Sequence, residues 1–384
     1  VLMTPNPADP SGWTIARLIN TKDVDNTILT NQTNVSTSFT TGSVTHDLNA
    51  GLELIREEYN NYTVATTGTV PTRVSVYNPD SSVSLPDYAR TGAQKDFKTT
   101  TAALYAFDTV KVNEQLQFNG GLRVDRYKST YDELNTSGAS TLNLEESRTL
   151  TSWKLGALYK FVPNASVYAN YGVSFQPPGA ANGAFSTAAN NANNPNMDPQ
   201  KAKTAELGVK WETPDRNLLL SAAVFRTDVT NEIVTNSDGT VDQTGKKRVQ
   251  GFELGAVGQI TPDWSVMAGY TQQSTKVVTG ATVASDGSSS LTYTPKNAFS
   301  LWTTYRLLPQ LTLGGGATYS GGLRRGTDGS VGTPKFTESY WVFNAMASYR
   351  ISKNVDVQLN VYNLFDKKYV ASINKSGYRY FPGA

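Results

Sequence analysis

The chain has 384 residues, with 34 Lys and Arg against 32 Asp and Glu, a net charge of +2 and no Cys. Apolar residues make up 38% of it, and no apolar run approaches the roughly 18 residues that a membrane-spanning helix needs. These values exclude a helical membrane protein, a disulfide scaffold and a chain built to bind nucleic acid. The one histidine, His46, has no partner for a zinc site or a catalytic triad.

Apolar and polar residues alternate with period two along most of the chain, which is typical of strands exposed differently on their two faces. From Leu311 to Tyr319, for example, the odd positions are mostly apolar and the even positions are Thr or Gly. Seven tight-turn segments join such stretches into seven hairpins. The fourteen predicted strands cover residues 27–40, 44–58, 98–112, 115–131, 148–162, 165–176, 202–213, 217–234, 247–260, 264–275, 294–308, 311–321, 338–351 and 355–366.

The connections between these strands alternate in length. The seven turns are short, and long polar stretches separate the hairpins, which predicts one continuous up-and-down meander without an internal domain boundary. The long loops are expected at residues 60–96, 132–147, 177–200, 235–246, 276–293 and 322–337.

A sheet with one apolar face is covered either by a second sheet, as in a soluble sandwich, or by lipid, as in a membrane barrel. Twelve residues at about 3.3 Å each, tilted by about 45°, cover roughly 28 Å, close to the apolar band of about 25 Å. The length therefore favours an all-β, antiparallel transmembrane barrel. Trp211, Trp264 and Phe161 stand beside short turns, where an aromatic girdle is expected.

Charged residues share the parity of the polar face. They are costly in a dry core but not in a hydrated lumen. The predicted lumenal residues are Arg123, Asp125, Glu206, Lys210 and Glu253, together with Glu53, Lys154, Lys160 and Asp356.

Several segments resemble the TonB-dependent outer-membrane receptors that import iron-siderophore complexes, and the catecholate subgroup is the most similar. They lie in the same order and spacing as in that family and cover about residues 98 to 384. The segments are Val361-Tyr362-Asn363-Leu364-Phe365-Asp366-Lys367-Lys368-Tyr369, Met197-Asp198-Pro199-Gln200, Glu206-Leu207-Gly208-Val209-Lys210, Ala223-Val224-Phe225-Arg226, Gly251-Phe252-Glu253-Leu254 and Ser166-Val167-Tyr168-Ala169-Asn170-Tyr171.

The resemblance implies a barrel of 22 strands with an N-terminal plug that contacts TonB. Residues 1–384 would then be a single partial barrel domain with about 14 of those strands, lacking the plug, the first strands and the last strand. Because open edges leave backbone groups unpaired in lipid, the chain is expected to be part of a larger molecule.

A ferric catecholate is an anion with aromatic faces, so its receptor needs cations, aromatic rings and hydrogen-bond donors at the mouth of the barrel. The adjacent pair Arg324 and Arg325, flanked by glycines, is the first candidate. Solvated loop surface or contact with lipopolysaccharide phosphates is the alternative role for each such residue. The predicted ligand-binding residues are Arg324, Arg325, Lys335, Tyr88, Arg90, Phe185, Tyr293 and Arg379, and further loop candidates are Arg73, Tyr77, Lys246, Lys247 and Arg248.

The expected function is TonB-coupled import of ferric siderophores across the bacterial outer membrane by a monomer without a cofactor or a resident metal. Lipid and lipopolysaccharide are the expected surroundings. A passive porin is the alternative, because the strand pattern alone does not require a plug. No catalytic motif is present, so an outer-membrane enzyme is not expected.

Overall fold

A computed structural model describes most of the chain. The described residues are 9–16, 21–67, 73–75, 77–80, 82, 86–180, 183–215, 217–235, 241–326, 334–373 and 380–383. The one helical element among them is a single 3-10 turn, Pro10–Gly12. In the described part, no helix is long and apolar enough to cross a bilayer.

The described chain is otherwise built from strands, eighteen in all. Four of them are short and form two separate pairs: β1 (Thr14–Ala16) with β4 (Arg73–Ser75), and β17 (Tyr369–Ile373) with β18 (Tyr380–Gly383). The other strands are β2 (Asp23–Thr41), β3 (Val44–Thr67), β5 (Asp87–Lys111), β6 (Leu116–Leu134), β7 (Ser140–Val162), β8 (Ala165–Gln176), β9 (Gln200–Glu212), β10 (Leu218–Thr235), β11 (Val241–Thr261), β12 (Trp264–Thr279), β13 (Asn297–Leu308), β14 (Leu311–Ser320), β15 (Tyr340–Ser352) and β16 (Val355–Val361).

The fourteen longer strands form one antiparallel sheet in which each strand pairs with its neighbours in sequence. Each of the fourteen predicted strands has its counterpart there, and the seven short turns lie where they were predicted. Within the described residues, β2 and β16 are the two edges, and no pairing joins them. The all-β meander predicted from periodicity is therefore confirmed, and the described sheet is open.

Within the described residues, no second layer of the chain covers the apolar side of the sheet. Leu104 and Leu359 are each 64% exposed, and Leu313, Phe343 and Val357 are exposed as well. Side chains of this size remain exposed over a whole sheet face only if something other than water covers that face. Hydrocarbon fits both the strand length and the period, so the sandwich alternative is wrong.

Several strands continue into segments where the sequence predicts loops. β3 ends at Thr67, β5 begins at Asp87 and β7 begins at Ser140, so parts of the predicted loops 60–96 and 132–147 are strand. The apolar alternation stops in these extensions because they stand outside the lipid, where both faces are polar. Outward-facing cations mark the change on β3, β5 and β6, namely Arg56, Lys98, Arg126 and Lys128.

At some positions in the sheet, the backbone of the neighbouring strand lies so close that only glycine fits. A Cβ built on Gly251 would lie 2.0 Å from the carbonyl oxygen of Gln272 on the neighbouring strand. No side-chain rotation relieves such a contact, since the obstructing atom belongs to the backbone. On β14, by contrast, a Cβ on Gly315 meets nothing within 4 Å.

Candidate ligand-binding mouth and lumen

The lumenal face carries a salt-bridge triad. The Arg123 guanidinium lies 2.6 Å from Glu53 and 2.7 Å from Asp125, and 5.7 Å from the centre of the Tyr105 ring. Strand alternation places all of them on one face, because Glu53, Ala103 and Asp125 share one register row across β3, β5 and β6. Two carboxylates against one guanidinium leave the triad with excess negative charge.

A second lumenal group lies on β8 and β9. The Tyr168 hydroxyl donates to Glu206 at 2.7 Å, and the Lys210 ammonium lies 5.3 Å from the centre of the same ring. Glu253, on β11, accepts a long hydrogen bond of 3.5 Å from Thr271. Five of the nine predicted lumenal residues, Arg123, Asp125, Glu206, Lys210 and Glu253, thus lie on the polar face of the sheet. Whether they contact a plug stays a prediction.

A cavity of about 810 Å³ borders the first of these groups. It opens between β3, β5, β6 and β7 and the segment after β8. Two cations, Lys22 and Arg123, line it together with the inward-facing carboxylates of Glu57 and Asp125. With Glu53 of the adjoining triad, three carboxylates face two cations, so this part of the lumen is slightly acidic and favours a polar or cationic polypeptide surface over a ferric catecholate anion.

The segment between β8 and β9 folds inward over this cavity. Phe185 is 5% exposed, and its ring meets Phe97 edge-on at 5.2 Å and Tyr131 at 6.5 Å. Gly183 has a φ of 60° and lies against the ring of Tyr59. Phe185 is thus an anchor of this loop inside the barrel mouth, and its buried ring has no free face to offer a ligand.

An ionic clamp holds the other end of the same loop. Arg148, on the lumenal side of β7, lies 2.9 Å from Glu146 and 2.6 Å from Asp198, and donates to the carbonyl of Met197 at 3.0 Å. Tyr127 donates to Glu146 at 2.8 Å. Burial raises the pKa of Glu146, although the hydrogen bond from Tyr127 and the charge of Arg148 act in the opposite direction.

The predicted Arg324–Arg325 pair lies in a folded loop, where the two side chains differ in role. Arg324 donates to Asp286 at 3.1 Å and its guanidinium lies 5.6 Å from the centre of the Phe336 ring. Arg325 is only 6% exposed and donates to the carbonyl of Pro334 at 3.0 Å. Its role is therefore to hold the loop together, because a buried guanidinium bonded to backbone carbonyls is not presented to an outside ligand.

Asp286 joins this loop to the segment after β12. Its pKa is lowered by hydrogen bonds from the Ser288 hydroxyl and amide, and further by Arg324. The backbone of Tyr293 also donates to the carbonyl of Arg324 at 3.0 Å, and its hydroxyl accepts from the Gly326 amide at 3.2 Å. Of this predicted group, Lys335 is exposed at the surface of the same loop.

The remaining predicted residues are spread over the mouth. Tyr88 is 62% exposed. Arg90 bonds Asp23 through two nitrogens at 2.7 and 2.9 Å and stacks over Tyr62 at 3.5 Å, so it ties β5 to β2. Arg379 lies outside the described residues. The described candidates therefore do not converge on one site but occupy separate parts of the rim.

Comparison with known proteins agrees with this architecture. The family model described as TonB dependent receptor-like, beta-barrel, matches residues 4–364. The chain belongs to the TonB-dependent receptor β-barrel family. It is therefore part of an outer-membrane β-barrel, and the resemblance found in the sequence segments is confirmed.

Curated relatives and solved structures extend the match to nearly the whole chain. The catecholate siderophore receptor Fiu of Escherichia coli K12 is 48% identical over 99% of this chain and 52% of its own length. The probable TonB-dependent siderophore receptor PiuA of Acinetobacter baumannii is 31% identical over 97% of the chain and 54% of its own length. The crystal structure of the closed form of Fiu superposes with a TM-score of 0.94 at 47% identity, covering 99% of this chain and 56% of that one. The chain thus spans about half the length of these relatives, whose names describe receptors and not enzymes.

Sequence reasoning missed the clamp of Tyr127, Glu146, Arg148 and Asp198. The sequence carried one signal for it: Glu146, two residues before the predicted start of β7 at Arg148, has the same lumenal parity as Arg148. The inward fold of the following loop had no such signal, because it depends on contacts between residues about 90 positions apart, such as Phe185 and Phe97.

Proposed function

We propose that this chain is the strand-rich wall of a receptor that imports ferric siderophores of the catecholate class by TonB-coupled transport. The observation that carries the proposal is the 48% identity to a catecholate siderophore receptor over 99% of the chain. A passive porin is not supported, because the matched relatives are receptors and a loop occupies the mouth of the barrel.

The geometry of the mouth supports a selective receptor. Two independent anchors, the aromatic cluster at Phe185 and the clamp at Arg148, hold the β8–β9 loop over the lumen. Lys335, Tyr88 and the outer edge of Arg324 remain accessible on the rim, where they offer positive charge and an aromatic face to a ferric catecholate. The slightly acidic lumen below suits a polypeptide plug.

Growth of iron-starved cells tests this function. A strain lacking its own siderophore receptors would carry the full-length gene and be supplied with purified catecholate and hydroxamate siderophores. Rescue by ferric catecholates, lost in a strain without TonB, is the expected result. Rescue that persists without TonB would support a passive channel instead.

We also infer that the edge strands β2 and β16 are covered in the full-length protein by its other segments, including further strands, and that a plug fills the lumen. Support comes from the two unpaired edges within the described sheet and from relatives about twice as long. Amide hydrogen exchange in the full-length protein tests the edges. Slow exchange along β2 is expected, and exchange as fast as in a free strand would contradict the inference.

The surroundings of the barrel follow from its outward face. Leu104, Leu155 and Leu359 are exposed on it, and their expected neighbours are the hydrocarbon chains of outer-membrane lipid and lipopolysaccharide. We infer a monomer, because a lumen formed by one chain needs no second copy. Native mass measurement in detergent would test that state, and a stable dimer would contradict it.

A further inference from the structure

A row of apolar side chains crosses the lumenal face of β10, β11, β12 and β13, where a hydrated lumen favours polar residues. Val257 and Met267 pair directly across β11 and β12, and they are 51% and 60% exposed. The same register row continues to Leu219 on β10, which is also exposed, and to the half-buried Trp302 on β13. We call these four side chains the lumenal apolar band.

The side chains of the band point into the barrel and not toward lipid. On β11, Val257 has the parity of the lumenal Glu253, whereas Leu254 lies on the outward face. On β12, Met267 has the parity of Thr271, whose hydroxyl donates to Glu253. The hydrocarbon that covers the outward face therefore does not reach the band.

The band lies in an uncharged part of the lumen. Across β11, β12 and β13, the lumenal rows on either side of it contain only Gly, Ser, Thr and Gln. On the short-turn side, the hydroxyls of Ser265 and Thr304 hydrogen bond to each other at 2.5 Å. On β14, a Cβ on Gly316 would lie 2.6 Å from the Trp302 ring, so this ring covers the glycine. Nothing in these rows requires bulk water.

The lumenal face of β3 to β9 has the opposite character. There the register row through β6, β7, β8 and β9 holds Asn119, Asn170 and Glu206, and the Arg123 triad lies closer to the mouth. Charged side chains on a hydrated surface exchange partners with water at little cost. Exposed apolar surface stays unfavourable until another apolar surface covers it. We call the lumenal face of β3 to β9 the charged wall.

We propose that the lumenal apolar band is the docking surface for an apolar side of the plug, and that the ligand passes along the charged wall. Relatives about twice as long as this chain supply the occupant. A ferric catecholate fits the band less well, because the band and the described rows beside it on β11, β12 and β13 offer no cation to an anion.

The two contacts differ in how they respond to a pull through TonB. The apolar contact persists in water, whereas the hydrated contacts of the charged wall are replaced by water as they separate. The plug therefore leaves the charged wall first. The proposal rests on the plug and the TonB coupling of the proposed function.

Cysteine labelling of the full-length receptor in cells tests the docking surface. Residues 1–384 contain no cysteine, and the unchanged protein gives the background of the rest. The variant is Met267→Cys and the matched control is Asn119→Cys, since each position is the fourth residue of its strand and faces the lumen. A water-soluble maleimide should label Met267→Cys about tenfold more slowly than Asn119→Cys, and equally fast after unfolding in urea.

A second arm tests whether the cover depends on apolar contact. In a protein that carries Val257→Cys, Met267→Lys should raise the labelling rate about tenfold, because it places a charge in a dry contact, and Met267→Leu should leave the rate low. Val257→Cys also replaces Met267→Cys in the first arm if that variant fails to fold.

Uptake of a ferric catecholate tests the path of the ligand. During uptake in cells with TonB, Asn119→Cys should be labelled about threefold faster and Met267→Cys no faster, and without TonB neither rate should change. Equal resting rates for the two variants, or faster labelling of Met267→Cys alone during uptake, would overturn the proposal. Slow labelling of Met267→Cys in a protein that rescues no iron-starved growth would contradict the transport function alone and still support the contact.

Discussion

Replacing Arg148 by Gln should release one end of the loop that covers the lumen. Arg148 joins β7 to Asp198 and to the carbonyl of Met197, and it neutralises the buried carboxylate of Glu146. Glutamine keeps most of the volume but removes the charge. Residues 183–199 would then be held chiefly by the aromatic contacts of Phe185.

The size of the effect follows from exposure. The Asp198 side chain is 65% exposed, so its pair with Arg148 contributes about 0.5 kcal/mol. The hydrogen bond to Met197 and the charge compensation of Glu146, whose side chain is 3% exposed, add about 1.5 kcal/mol together. A loss of about 2 kcal/mol in local stability increases the opening equilibrium about thirtyfold.

Amide hydrogen exchange of the full-length protein measures this opening directly. The relevant amides are those bonded within the loop, including Ser186 to Asn193 and Met197 to Asn194. Arg126→Gln is the matched control, because Arg126 lies on the outward face of β6, where its side chain donates a hydrogen bond to Thr149 at 3.4 Å and forms no ion pair among the described residues. Exchange in the Arg148 variant that equals the control would refute the clamp.

Three further changes test other parts of the structure. Phe185→Ala removes a buried ring at a cost of about 3 kcal/mol in stability and should speed proteolytic cleavage of residues 183–199. Tyr362→Ala, the control, removes a ring that is 76% exposed and should leave the cleavage rate unchanged; equal cleavage rates in the two variants would contradict the role of Phe185 as an anchor. Gly251→Ala places a Cβ against a backbone oxygen and should lower the free energy of unfolding in urea by about 1 to 3 kcal/mol. Gly315→Ala, the control, should change it little, and a larger loss of stability in Gly315→Ala than in Gly251→Ala would count against the strand register. Because hydrogen bonds from Ser288 lower the pKa of Asp286 from 3.8, its stabilising contribution is fully present above pH 3.8 and is lost as pH falls through the lowered value. Protection of the Ser285 amide should therefore be constant above pH 3.8, fall at lower pH, and be weaker at all pH values in Asp286→Asn; a fall that begins well above pH 3.8 would contradict this.

The membrane-facing half of the fold could be predicted from the sequence. Apolar residues recur at every second position because hydrocarbon touches one face of each strand, and this local pattern needs no knowledge of distant residues. It located the fourteen strands and assigned Arg123, Glu206 and Glu253 to the lumenal face. The pattern disappears where both faces are polar, which explains why the sequence predicts loops at the extensions of β3, β5 and β7.

Tertiary structure alone decided which mouth residues are available. Arg324 and Arg325 are adjacent in sequence, yet one lies at the surface beside Asp286 and the other is buried among backbone carbonyls. The alignment of Lys203, Asp228, Arg248 and Lys276 in one row across the sheet depends on the register of four strands. Sequence therefore determined which face of each strand meets lipid, because that depends on neighbours two positions away. The pairing of charges and the inward fold of the β8–β9 loop depend on residues brought together by the sheet, and only the folded chain decides them.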